Sequence, residues 1–458
     1  MKILLWHGYL LRGSGSNIYT ANIARVWRNE GHDVLLMCQE GHPEHFDFID
    51  EDGDFAIDNS SFETRPTGST PGRGRCRLVR PAIGDLLPVY VYDAYEGFTV
   101  KTFVDLTDRE LKHYTRTNVE AMVAAIESFS PDAIITGHEV MGPYIAREAC
   151  ERTGRTFIAK LHGSALEYAV KRQERYLTYA QTGLGAARTV TGGSNYMIGE
   201  AGRVIPEILE RAAVVNPGSD VDIFKTVERE RPARAVVGYV GKFIPQKGVH
   251  NLLASLGLTT QPLEVVVVGY GSLEDRLHGL WGSLHSNDLT GALSYARNGD
   301  AGPLVDVERF LESGDATTAY FERAGNISVA WPGRLEHGPL SEILPTWDLL
   351  IVPSVLPEAF GMVAAEAAMC SVLPVVPAHS GIGEVGSAIE DVLGHPGLLT
   401  FDPGDPIRSL AQKVDSLLAI PFPERREMGR AAAALATARW SWNEVARQLL
   451  QHASGGRG

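Results

Sequence analysis

Residues Pro353–Glu366 read PSVLPEAFGMVAAE and follow the apolar run WDLLIV at Trp347–Val352. An uninterrupted apolar run of this kind predicts a strand buried on both faces, as in a parallel sheet. Pro353, Ser354 and Pro357 break it, and Phe360-Gly361 opens the helix-forming stretch VAAEAAM. The order is strand, short loop, helix. The start of such a helix offers N–H groups with no partner inside the helix, which attract an anion or a sugar oxygen. Glu358 falls in the loop beside that start. Glu366 falls about five residues into the helix, roughly 7–8 Å further along at about 1.5 Å per residue. Carboxylates so spaced suit the hydroxyls at the two ends of a nucleotide-sugar, with its diphosphate between them.

The same rhythm runs outward in both directions. At the N-terminus Ile3–Trp6 reads as a strand, His7–Ser16 (HGYLLRGSGS) as a loop, Asn17–Glu30 as a helix and Val34–Cys38 as the next strand. This βαβ opening, with Gly13 and Gly15 ahead of a helix, is Rossmann-like, although it lacks the third glycine of a dinucleotide fingerprint. Residues 41–100 read as irregular. Within them, Asp50-Glu51-Asp52-Gly53-Asp54 has a misplaced glycine and no closing Glu for a calcium loop, and reads as a solvated acidic loop. Leu106–Ser128 is a long amphipathic helix. Ala133–Thr136 leads into Gly137-His138-Glu139, and Thr156–Leu161 ends on His162-Gly163-Ser164. Glu167–Ala180 reads as helical, followed by strands at Arg188–Thr191 and Ala213–Asn216.

Val221–Arg234 is polar and charged and reads as a linker, after which βαβ units begin again. Ala235–Val240, Leu263–Val268 and Ile327–Trp331 are strands and Val249–Leu256 a helix. Residues 279–323 interrupt the pattern as an insertion, with helical patches around Val305–Leu311. The expected fold class is α/β, with two Rossmann-like doubly wound domains facing across a cleft. One spans 1–217 and is completed by the terminal segment 439–458; the other spans 218–438. In open sheets of this kind ligands lie beyond the carboxyl ends of the strands, where the glycine-bearing and histidine-bearing loops fall.

Composition limits the partners. The 458 residues carry a net charge of −14, which disfavours nucleic acid or an anionic membrane, since both need a basic face. Cys38, Cys76, Cys150 and Cys370 have no metal-type spacing and read as reduced structural thiols. The N-terminal apolar run is too short for a signal peptide, and no run approaches the ~18 residues of a membrane span. The expectation is a soluble, cytoplasmic protein with no transmembrane segment.

Together these landmarks resemble the retaining GT-B-fold glycosyltransferases of family 4, also described as glycosyl transferases group 1. The likeness covers nearly the whole chain and is strongest from Gly238 to Glu384 outside the insertion. Its centre is a Glu, seven residues and a second Glu, here Glu358 and Glu366 within PEAFGMVAAEAA. The resemblance implies that Glu358 accepts a hydrogen bond from a donor-sugar hydroxyl. The backbone of Phe360, Gly361 and Met362 would face sugar and phosphate, and Glu366 would hold the ribose. In Gly241–Gly248 (GKFIPQKG), Lys242 and Lys247 match the cationic pair for the diphosphate. The first is commonly Arg, and a Lys there keeps the charge but loses the bidentate fork. Gly15 matches the glycine whose N–H approaches the phosphates, and Asn17 a position near the acceptor. Arg334, in Gly333-Arg334-Leu335, matches the segment against the base. His162 matches the histidine facing the reacting sugar, and His138 and Glu139 are placed along the acceptor pocket. Arg439–Leu450 resembles the terminal helix that crosses back to the N-terminal domain.

The resemblance implies transfer of a sugar from a nucleoside diphosphate-sugar, UDP- or GDP-type, with retained anomeric configuration. The donor is a substrate, so no obligatory cofactor is expected, and the lack of an Asp-x-Asp motif near a strand end argues against an obligatory metal. No basic amphipathic surface helix stands out, which favours a soluble small-molecule acceptor over a membrane lipid. The alternatives are a nucleotide-sugar epimerase or hydrolase on the same fold, or a non-catalytic nucleotide-sugar-binding protein.

Overall fold

The computed structural model describes residues 1–69 and 72–454; the last four residues of the expected terminal segment lie outside this range. Contacts divide the chain into two units, one of Met1–Gly218 with the stretch from Trp442 onward, the other of Ser219–Ser441.

The first unit is built on a nine-stranded sheet. Its strands are β1 (Lys2–Trp6), β2 (Asp33–Met37), β3 (Glu51–Phe55), β4 (Phe62–Pro66) and β5 (Arg75–Arg80). A parallel pair apart from that sheet follows, β6 (Leu86–Val89) and β7 (Thr99–Thr102), and then β8 (Ala133–Gly137), β9 (Ile158–Lys160), β10 (Thr189–Gly192) and β11 (Ala212–Val214). The sheet order is β11-β10-β9-β8-β1-β2-β5-β3-β4. All its neighbours are parallel except the β3–β4 hairpin. β1 is central because Ile3–Trp6 are buried throughout, as a parallel sheet covered on both faces requires. The covering helices are α1 (Gly15–Asn29), α2 (Asp108–Phe129), α3 (Gly142–Thr153), α4 (Glu174–Ala186) and α5 (Asn195–Val204). Ser14 caps α1 by accepting the Asn17 N–H, and Thr107 with Glu110 forms a reciprocal capping box on α2. The terminal helix Trp442–Ser454 lies against α1, where the buried Trp27 indole donates to the Ala446 carbonyl at 3.1 Å.

The expected irregular stretch 41–100 holds four of these strands and the start of β7, and the acidic run at 50–54 is mostly strand β3. Its charges are neutralised across strands. Arg80 reaches Asp52 and Asp54 at 2.7 Å each, and Arg28 reaches Asp50 at 2.7 Å. Charged residues depress strand propensity in a sequence reading, but partners on neighbouring segments remove that cost. Glu167–Ala180 is not one helix either: a π-turn at Leu166–Val170 precedes α4.

The second unit has six parallel strands, β12 (Ala235–Lys242), β13 (Leu263–Tyr270), β14 (Ser328–Gly333), β15 (Leu349–Ile351), β16 (Leu373–Pro377) and β17 (Thr400–Phe401), in the order β14-β13-β12-β15-β16-β17. Its helices are α6 (Val249–Leu256), α7 (Glu274–His285), α8 (Leu289–Arg297), α9 (Val305–Glu312), α10 (Thr318–Ala324), α11 (His337–Ile343), α12 (Met362–Met369), α13 (Ser380–Leu393), α14 (Pro406–Ala419) and α15 (Phe422–Trp440). The insertion at 279–323 therefore lies in the helical run α7–α10. Leu280, Leu284, Phe310 and Tyr320 sink into the common core, and the Tyr320 hydroxyl donates to the Ala254 carbonyl at 2.9 Å. The expected linker is anchored too. Its Arg229 and the Arg425 of α15 both reach the fully buried Asp348, at 3.0 and 2.9 Å.

Among the described residues no helix is long and apolar enough to cross a membrane, and all four cysteines are buried and unbonded.

Candidate active site

In the second unit three loops meet beyond the carboxyl ends of β12, β15 and β16. The loop after β15 is tied to the turn Pro245–Lys247 by the Val355 N–H, which donates to the Gln246 carbonyl at 2.9 Å. Gly248 permits this approach. It has φ +67°, and a Cβ there would lie 1.9 Å from the Pro353 carbonyl oxygen. The result brings Lys247 Nζ to 2.9 Å from Glu358 Oε1. The Ser354 hydroxyl donates to the same oxygen. The backbone of Glu358 is held as well, its N–H by Ser380 Oγ at 3.0 Å and its carbonyl by the Gly381 N–H at 2.9 Å. From sequence Ser354 reads only as a strand breaker and Ser380 is not singled out; both sit just past a strand end, the position that marked the other loops.

α12 starts at Met362 with Gly361 as its cap at φ +100°, where a Cβ would lie 2.7 Å from Ile382. Gly361→Ala is accordingly expected to destabilise the second unit by about 1–2 kcal/mol through strain and contact, read as a lower denaturant midpoint. The Phe360 ring is buried edge-on against Trp440 at 5.7 Å, so only its backbone is left for a ligand. Glu366 lies one turn into α12 and is 6% exposed. Burial pushes its carboxyl up to about 7, and no hydrogen bond or ion pair to its side chain is present among the described residues. Lys242 ends β12 with an exposed ammonium, while its carbonyl accepts from the Tyr239 hydroxyl at 3.0 Å. Arg334 is exposed, 2.8 Å from Glu336 and stacked over Tyr270 at 5.1 Å.

In the first unit the corresponding strand ends carry His7 after β1, His138 after β8 and His162 after β9. The His7 and His138 rings lie 5.7 Å apart and those of His138 and His162 4.8 Å apart. Burial pushes the His7 imidazole down to about 4 and the other two well below the ordinary range, so all three are neutral at pH 7. Gly15 opens α1 with open space where a Cβ would stand.

The three residues expected to line an acceptor pocket are instead buried beneath this surface. Asn17 Oδ1 accepts from the His7 Nε2–H at 2.8 Å. His138 is buried with φ +70° and with neither ring nitrogen bonded. Glu139 turns inward, its Oε1 accepting the N–H groups of His162 at 3.0 Å and Gly163 at 2.6 Å. Burial raises the Glu139 carboxyl, opposed by these N–H donors. The cause is packing: Glu139, just past β8, turns under the loop after β9 to hold its N–H groups, and Asn17 turns from α1 toward His7. Glu139→Gln keeps the shape and removes the charge. It is expected to weaken the hold on the His162 loop by about 1 kcal/mol, read as a lower denaturant midpoint of the first unit. Sequence reading also missed Lys160, which is buried on β9, donates to the Val215 carbonyl and lies 5.1 Å over the Tyr19 ring. Burial lowers its ammonium to about 7.

Residues 321–435 match the family model described as glycosyl transferases group 1. No curated protein matches the chain by sequence. Solved structures share its fold over nearly its full length. A sucrose-phosphate synthase from Thermosynechococcus elongatus is 18% identical with a TM-score of 0.60, covering 98% of this chain and 97% of its own. HepE of Anabaena in complex with UDP is 15% identical with a TM-score of 0.61, covering 98% and 99%. A trehalose-6-phosphate protein of E. coli bound with UDP-2-fluoro glucose is 12% identical with a TM-score of 0.58, covering 99% of each chain. The second unit thus carries the segment that the glycosyl transferases group 1 model matches, in a chain with the GT-B fold.

Proposed function

We propose that this protein transfers a sugar from a nucleoside diphosphate-sugar to a small-molecule acceptor with retention of anomeric configuration. The observation that supports the reading most is the Lys247–Glu358 pair at the start of α12, with the unpartnered carboxyl of Glu366 one turn behind it. An incoming diphosphate takes over Lys247, and a sugar hydroxyl takes over Glu358. Ribose hydroxyls donate to Glu366. Lys242 adds a second cation on the neighbouring strand end. As the bond from the anomeric carbon to phosphate oxygen breaks, the electron pair leaves with the diphosphate, where the lysines offset the growing charge. The acceptor oxygen bonds to the same face of the sugar, and its proton passes to the departing phosphate oxygen. Glu358, held by the Ser354 hydroxyl and engaged by the sugar hydroxyl, positions the sugar rather than forming a covalent intermediate.

Similar proteins were solved with UDP or a UDP-sugar, which makes a UDP-type donor the first to test. The test is release of nucleoside diphosphate from a panel of donors, with and without acceptors, with the product anomer read by NMR. Release that no acceptor accelerates supports hydrolysis, an inverted product overturns retention, and donor binding without any release supports a sensor.

A further inference from the structure

Helix α2 carries Arg109, Lys112, His113 and Arg116, all exposed, at the spacing that puts them on one helix face. None has a carboxylate partner among the described residues, whereas Arg152 pairs with Glu120 at 2.8 Å and Arg175 with Asp108 at 3.0 Å in the same unit. The four line a groove of about 760 Å³, whose apolar floor is Ile83, Leu86 and Tyr114. Its carboxylate, Glu110, is taken by Lys101 at 2.6 Å and by the Thr107 cap. The like charges of Arg109, Lys112 and Arg116, three and four apart, repel one another, and in a chain of net charge −14 such a concentration calls for an anion.

The groove also opens at the end of the sheet that bears the histidines. The Trp6 indole donates to Asn118 at 3.2 Å, which sets that level of α2 at the end of β1. Residues 109–116 therefore extend roughly 3–14 Å beyond the strand ends. From the groove floor, rings run from Tyr114 to Phe103 (5.8 Å), Tyr90 (4.7 Å) and His138 (4.8 Å).

We propose that this groove binds the acceptor through an anionic group, a phosphate or carboxylate on a soluble small molecule, and so selects which acceptor is used. This rests on the transfer reading above. A concave groove of about 760 Å³ with an apolar floor is the form of a small-molecule site rather than of a flat membrane-facing surface. The basic stripe overturns the sequence expectation that no basic surface helix is present.

The test is calorimetry on the full chain, saturated with UDP, using glucose 6-phosphate, glucuronate and glucose as probes. The expected result is binding of one or both anions but not of glucose, weakened at least tenfold in Lys112→Glu/Arg116→Glu and less in Lys112→Gln/Arg116→Gln, with UDP affinity and thermal midpoint unchanged. Equal binding by wild type and variants, or no anion binding, overturns the proposal. Capture on phosphatidylglycerol–phosphatidylcholine vesicles without binding of the soluble anions overturns it in favour of a membrane surface. Loss of UDP binding in the wild type overturns the transfer reading, while the probes measured without UDP still decide the groove.

Discussion

Lys247→Ala is expected to lower kcat by ~10²–10³-fold, about 3–4 kcal/mol of transition-state stabilisation. The ammonium sits on the turn that the β15 loop grips through Gln246, so its position is set by backbone contacts rather than by its own flexible stem. Charge on the departing diphosphate grows only as the bond breaks, so the loss falls on turnover more than on donor affinity. The ion pair with Glu358 is partly exposed, and its removal alone costs little stability. The thermal midpoint therefore stays close to that of the wild type, which separates the effect from misfolding. A variant that turns over at a near-normal rate in single-turnover measurements would remove Lys247 from the leaving-group site.

Glu366→Gln is expected to stabilise the protein and disable its donor site. Burial raises the carboxyl from 4.5 to about 7. Between those values the folded chain holds a proton that the unfolded chain has released. Stability therefore falls as pH rises from about 4.5 to about 7 and is level above, a loss of about 3 kcal/mol in all. The neutral glutamine escapes it. At pH 8 the variant should melt above the wild type, and near pH 4.5 the two should coincide. Hydroxyls donating to the charged carboxylate contribute about 1.5–3 kcal/mol, so donor affinity falls by roughly tenfold or more, and wild-type affinity rises with pH up to about 7. A variant that melts lower at pH 8, or that binds UDP-sugar as tightly as the wild type, contradicts this account.

Such a site is legible in sequence to the extent that it is written in local pattern. Pro353–Glu366 reads correctly as strand, loop and helix because each element has its own signal: WDLLIV, the prolines, then the alanine-rich run. The loop-to-loop contact that brings Lys247 to Glu358 is not local and depends on the Pro353 carbonyl fitting against Gly248. Burial was harder still. His138 and Glu139 stand at a strand end and Asn17 in the first turn of α1, where a ligand contact and a buried support look alike in one dimension. Asp50, Asp52, Arg77 and Arg80 make residues 41–100 look irregular in sequence, because their partners Arg28 and Asp33 lie outside the stretch and Arg80 lies far along it from Asp52. The stripe on α2 escaped notice because its helix is also amphipathic, and its apolar positions dominate the pattern.

The return of Trp442–Ser454 to the first unit also governs the order of assembly. Trp27 and Tyr19 meet Ala446 and Trp442 across more than four hundred positions of chain. At about 5–20 residues per second of synthesis, everything needed for the second unit emerges before the helix that covers this face of the first. The later-born half is the earlier to finish. A chain cut off after Ser441 and released is expected to hold a protease-resistant second unit beside a first unit with an uncovered apolar face.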